Sequence, residues 1–261
     1  MNQQDGLLLV GHGTRDPRGQ REFLATARQV QALRSEQPVF HSFLELATPT
    51  IDDGLAAAYR AGVRRLTVVP LLLFAAGHAK RDIPDAVEKA AAGFEDLQLA
   101  RVADALDCHP AMLWLSELRY RLALCGRQPV PTAKTALVMI GRGSSDAEAT
   151  ARMRCFAELR RERTLVGWLG VGFLAVQQPA LEEAIEGALA SGCRRVVIQP
   201  HLLFQGELTE QVRQTAARAA RDRSLEVIVT SHLAPGWPLA RALADRAEKK
   251  FGPSAFSLRN G

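Results

Sequence analysis

The chain has 261 residues, 47% of them hydrophobic and 23% charged, with 20 Gly, 13 Pro and 6% aromatics. This is ordinary globular composition and excludes disordered, collagen-like and fibrous classes. The 33 Lys and Arg against 28 Asp and Glu leave a net charge of +5, but the basic residues form no block and no aromatic-interleaved stretch that would stack bases. Nucleic acid is therefore not an expected partner, whereas a poly-acidic small molecule suits the charge. The polar N-terminus lacks a signal-peptide pattern. The longest apolar stretches, 68–76 and 196–204, are about half the roughly 18 residues of a membrane span, so no membrane is expected. Cys108, Cys125, Cys155 and Cys193 show no CxxC spacing and read as reduced thiols, which predicts a cytoplasmic protein.

In chain order, short apolar runs alternate with segments of helical period. Residues 7–10 read as a buried strand and 19–37 as a helix with Phe23, Ala27, Val30 and Leu33 on one face. A strand over 39–46 and a helix over 50–61 follow, with Asp52 and Asp53 in the first turn and Gly62 closing the helix. The pattern continues with a strand at 66–74, a helix at 82–92 begun by Asp82 as cap, a strand at 97–102 and a helix from His109-Pro110 to about 124. Residues 127–135, with Pro129 and Pro131, read as a linker.

The whole pattern then repeats at an offset of 130 residues. Gly11-His12-Gly13-Thr14 answers Gly141-Arg142-Gly143-Ser144, and Asp16 answers Asp146. Phe43-Leu44 answers Phe173-Leu174, and Pro70, Leu72, Leu73 and Phe74 answer Pro200, Leu202, Leu203 and Phe204. The expected architecture is α/β: two similar domains over 1–126 and 136–261, each a parallel sheet flanked by helices, facing one another across a cleft. A duplicated chain already holds an internal pseudo-dimer, so monomer and homodimer both stay open.

Ligands of open parallel sheets bind beyond the carboxyl ends of the strands. There the first half places His12, Glu45 and His78, each 33 residues from the next. Two imidazoles and a carboxylate suit a borderline divalent metal and can also accept protons. Gly11 and Gly13 could instead mark a phosphate loop, but neither GxGxxG nor GxxxxGK[ST] is completed. The second half carries Arg142, Ala175 and, after a one-residue deletion, Glu207 at the matching places. A triad that only supported the fold would be needed in both copies, so its loss in one favours a functional role in the other. Arg142, Ser144 and Ser145 either grip an anionic ligand or are solvated loop residues. His201, which matches Leu71, reads as structural, and His41, His109 and His232 as strand or helix-cap residues.

The runs Leu8-Leu9-Val10-Gly11-His12-Gly13-Thr14-Arg15, Phe43-Leu44-Glu45, and Val69-Pro70 through Gly77-His78 to Asp82-Ile83-Pro84 together resemble the sirohydrochlorin chelatases, the ATP-independent class II enzymes that insert Co2+ or Fe2+ into a tetrapyrrole. The resemblance covers nearly the whole chain, including a degenerate second half. It implies that His12 and His78 are the active-site histidines, that Glu45 is the acidic metal-site residue, and that no cofactor beyond the substrate metal, and no ATP, is used. Arg15, Lys80, Arg81, Arg142, Ser144 and Ser145 are then the expected partners of the tetrapyrrole carboxylates. A tetrapyrrole or metal carrier without insertion activity and a protohaem-forming ferrochelatase are the rival readings, and ligand type does not separate cobalt from iron.

Overall fold

The computed structural model describes residues 4–75, 79–221 and 225–248, with the side chains of 79 and 80 outside the description. Its first half runs β1 (Gln4–Gly11), α1 (Pro17–Leu33), β2 (Val39–Phe43), α2 (Ile51–Arg60), β3 (Val63–Pro70), α3 (Ala79–Ala91), β4 (Gln98–Val102) and α4 (Pro110–Leu124). After a 3-10 turn at Thr132–Lys134, the second runs β5 (Thr135–Gly141), α5 (Ala147–Arg163), β6 (Trp168–Phe173), α6 (Leu181–Ala190), β7 (Arg195–Pro200), α7 (Glu207–Ala220), β8 (Glu226–Val229) and α8 (Trp237–Ala247). Two four-stranded sheets result, in the orders β2-β1-β3-β4 and β6-β5-β7-β8, and every strand pair is parallel.

The central strands read as unbroken apolar runs because both their faces are covered. Leu8 and Val10 of β1 face the layer of Leu55, Ile83 and Val87 from α2 and α3. The alternate residues Leu7 and Leu9 face a second core, which also contains Leu137 and Met139 of β5, Phe23 of α1, Phe156 of α5 and Leu239 of α8. That second core is continuous through both halves.

Several boundaries differ from those expected of the sequence. α1 starts at Pro17, because Asp16 accepts from Arg18 N at 2.8 Å and Pro occupies the first turn, and it stops four residues short of 37. β2 ends at Phe43, so Glu45 lies in the turn beyond it. β3 starts at Val63 and ends at Pro70. α3 starts at Ala79, which puts Asp82 within its first turn, not at its cap. Gly62 does follow the α2 cap Ala61, with φ +89°.

The last helix of each half packs on the other half. α8 lies against α1 and β3, while α4 lies against α5. Arg246 of α8 donates to Leu106 O at 2.9 Å in the first half. Ser116 of α4 receives Gln199 Nε2 on its carbonyl at 2.7 Å and Arg160 Nε on its hydroxyl at 2.9 Å, both from the second half. Two further ties cross from the equivalent positions Glu22 and Arg152: Arg152 of α5 holds Asp107 through bonds of 2.8 and 2.7 Å, and Glu22 of α1 meets His232 Nε2 at 2.9 Å. His232 therefore ties the halves together and is neither a strand nor a cap residue, whereas His109 does cap α4, accepting from Ala111 N. A division of the chain into 1–126, 127–135 and 136–261 stays our proposal for the units of the duplication, each unit lending its last helix to the other.

His201 occupies the place of Leu71: its N–H bonds Ile140 O as that of Leu71 bonds Val10 O. The ring is buried between Phe74 and Phe156, at centroid distances of 5.4 and 4.2 Å, and neither of its nitrogens has a hydrogen-bond partner. Burial, and secondarily the nearby Arg160 charge, pull its pKa down to about 3. Folded, the ring stays neutral where the unfolded chain would protonate it, so its contribution is intact above about pH 6.5 and is lost as pH falls from there toward 3. His109, pulled to about 4 first by burial and then by Arg246, acts in the same sense. Stability is thus expected to fall on acidification at roughly 1.4 kcal/mol per pH unit for each such histidine. His201→Leu should remove one share of that slope in urea titrations between pH 7 and 4.5. An unchanged slope would refute the assignment.

Candidate active site

β1 delivers Gly11 to the sheet edge and the chain continues through His12 and Gly13. Two backbone bonds prolong the β1–β2 pairing past the strands, Leu44 N to Gly11 O at 2.9 Å and Glu45 N to His12 O at 3.0 Å. Gly13 makes this approach possible. Its φ is +106°, and a Cβ there would stand 1.7 Å from the Glu45 carbonyl oxygen. The resulting register sets His12 Nε2 3.0 Å from Glu45 Oε1, with the two side chains 46% and 54% exposed.

That separation suits shared coordination, since two ligands about 2.1 Å from one ion and roughly a right angle apart lie about 3 Å from each other. Both side chains are open to solvent, so an ion can reach them without any rearrangement of the core. Among the described residues there is no group of three or more His, Cys, Asp and Glu that could hold a metal. The third member expected from the sequence, His78, lies outside the described residues, as does the side chain of Lys80.

The second half rebuilds the same backbone without the pair. Leu174 N bonds Gly141 O at 3.1 Å and Ala175 N bonds Arg142 O at 3.0 Å. Gly143, with φ +90°, would place a Cβ 1.9 Å from Ala175 O. Arg142 and Ala175 thus stand in the frame of His12 and Glu45, and a guanidinium beside a methyl group offers a cation no lone pair.

The expected carboxylate partners are mixed. Arg15, Arg81, Arg142 and Ser145 are exposed and free to meet a ligand. Ser144 has local work, as its Oγ accepts from Asp146 N at 3.0 Å, just as Thr14 Oγ1 accepts from Asp16 N at 3.1 Å. Glu207 begins α7 as a first-turn acid, where it favours the helix dipole.

Two features escape the sequence. One is a groove of about 470 Å³ in which Arg18, Arg21 and Glu22 of α1 meet Gln205, Arg213 and Pro235; its walls come from both halves, so no local motif announces it. The other is the backbone directly after Glu45 and Ala175. Leu46 and Val176 both have φ in the left-handed region, 62° and 65°, Val176 at the centre of a tight turn closed by Gln177 N to Ala175 O at 2.7 Å, and a residue bearing a Cβ is disfavoured there. Both side chains are exposed, at 45% and 73%.

The fold and the site define a duplicated parallel α/β protein that carries a histidine–carboxylate pair at the strand ends of its first half alone. Comparison with known proteins makes this specific. The CbiX family model matches residues 6–123 and again 136–250, and the chain belongs to that family. It is 28% identical to the sirohydrochlorin cobaltochelatase of Priestia megaterium over 93% of this chain and 79% of that one. It is 30% identical to the sirohydrochlorin ferrochelatase of Bacillus subtilis (strain 168) over 81% of this chain and 78% of that one. Among solved structures it is similar to SirB from Bacillus subtilis with Fe3+, with a TM-score of 0.82 and 27% identity over 94% of this chain and 95% of that one.

Proposed function

We propose that this chain inserts a divalent metal ion, Co2+ or Fe2+, into sirohydrochlorin, with the first half holding the ion through His12 and Glu45, joined by His78. The observation that carries the reading is the 3.0 Å His12–Glu45 contact, set in a backbone frame whose duplicate holds Arg142 and Ala175. Membership of the CbiX family and similarity to chelatases named for both metals support it.

Insertion exchanges two pyrrole N–H protons for one M2+, so the two protons must leave as the nitrogens close on the ion. His12 and Glu45 serve both needs: each offers a lone pair to the arriving metal and, once the ion has passed to the ring, the same lone pair accepts a departing proton. Their exposure lets those protons reach water. The acidic rim of the substrate fits the net positive charge, with Arg15, Lys80, Arg81, Arg142, Ser144 and Ser145 as its partners. Among the described residues no helix is long and apolar enough to cross a membrane, and a cytoplasmic, monomeric or dimeric enzyme that needs no ATP completes the proposal.

The test is anaerobic incubation of metal-free sirohydrochlorin with Co2+ or Fe2+, followed by its visible spectrum. The reading requires insertion faster than the uncatalysed rate. Binding without acceleration would indicate a carrier, and preference for a protoporphyrin in competition would indicate a protohaem ferrochelatase.

A further inference from the structure

Leu46 and Val176 lie 130 residues apart, so they are equivalent members of the duplication. Each has φ in the left-handed region, where glycine fits freely and a side chain, above all the β-branched Val176, is disfavoured. Each also leaves a large apolar side chain in water, so burial does not offset the strain. A sequence chosen only for stability would place Gly or Asn at both positions.

Their location supplies the missing reason. Leu46 directly follows Glu45, and Val176 directly follows Ala175, at the same edge of each half. The second half has given up the carboxylate yet kept the strained apolar neighbour, so what retains that neighbour is not metal binding. A tetrapyrrole is flat, with apolar faces and an acidic rim, and an exposed apolar side chain at the strand ends suits such a face.

We propose that Leu46 and Val176 are substrate contacts, each offering its exposed apolar side chain to the macrocycle that the His12–Glu45 pair receives. The proposal rests on the chelatase reading. The apolar surface that the ring buries on the two side chains then offsets the cost of their backbone strain.

The experiment compares the full chain with Leu46→Gly, Val176→Gly, the double variant and Leu46→Met. Thermal melting, titration with metal-free sirohydrochlorin and steady-state insertion kinetics are measured on each. Each glycine variant should bind the tetrapyrrole about tenfold more weakly and raise KM to match, as loss of a small apolar contact does. The double variant should lose about a hundredfold by additivity. Melting should stay close to that of the unmodified chain, since relief of strain offsets the added freedom of the unfolded state. Leu46→Met should bind nearly as well as the parent.

Unchanged tetrapyrrole affinity in both glycine variants would overturn the proposal, as would a large drop in melting temperature, which would mark the two side chains as supports of the fold. A loss confined to Leu46→Gly would overturn the role of Val176. Failure of the unmodified chain to bind sirohydrochlorin would instead overturn the chelatase reading, and this inference with it.

Discussion

His12→Ala is expected to lower the rate of metal insertion at least tenfold, and by roughly 10²- to 10⁴-fold if the imidazole also takes a pyrrole proton. The side chain is 46% exposed, and Glu45 Oε1 is the polar partner it meets, at 3.0 Å, so its removal opens no core cavity and the fold should survive. Glu45→Gln separates charge from shape: an amide can still meet His12, but it neither binds a cation strongly nor accepts a proton. It should therefore lose activity in the same sense as His12→Ala, with a melting temperature close to that of the parent. Arg142→Ala, at the equivalent place in the second half, should affect the apparent affinity for the tetrapyrrole rather than the turnover number. Stopped-flow insertion traces with each variant check the set, and equal loss of turnover at His12 and Arg142 would show that the asymmetry of the halves has been misassigned.

The second large effect is expected at the two glycines that let the edge loops close. In Gly13→Ala the new methyl would sit 1.7 Å from Glu45 O, and in Gly143→Ala 1.9 Å from Ala175 O. Both distances are inside van der Waals contact with backbone, and both residues have positive φ. Neither neighbour can move without breaking the bonds from Glu45 N to His12 O and from Ala175 N to Arg142 O. Each substitution should cost on the order of 4 kcal/mol, the range reached when special backbone geometry is lost. Because the frames are duplicates, the stability losses should be similar in denaturant titrations. Gly13→Ala should also lower the turnover number of the folded molecules, since that frame aligns His12 with Glu45, whereas Gly143→Ala, beside Arg142 and Val176, should instead weaken tetrapyrrole affinity. Full stability of either alanine variant would contradict the close approach on which the site geometry depends.

Much of this was legible in the sequence for definite physical reasons. Strands covered on both faces become unbroken apolar runs such as Leu7 to Val10, and a duplication leaves the same Gly-x-Gly turn at two places. The convergence of His12 and Glu45 at the ends of consecutive strands was expected from topology, and the two side chains do meet.

What stayed hidden depends on which half covers which. Helical periodicity shows that a helix has an apolar face, not whose sheet that face meets, so the exchange of α4 and α8 left no trace. Its marks are buried polar residues: Ser116 and Glu117 on α4, Arg160 on α5, Arg246 on α8. They read as ordinary surface residues until the opposite half is in place. His232 was misassigned for the same reason, because its partner Glu22 lies 210 positions away. Glu45 was placed on a strand that ends two residues earlier, because Phe43-Leu44-Glu45 continues the apolar run into the turn.

The central claim is that one half holds the metal and its duplicate does not. Crystals soaked in Co2+ and measured on both sides of the cobalt absorption edge test it directly. The account predicts an anomalous peak about 2.0 to 2.2 Å from His12 Nε2 and a Glu45 oxygen, with His78 as the third protein ligand, and none beside Arg142 and Ala175. A peak only in the second half, or one remote from His12 and Glu45, would contradict it.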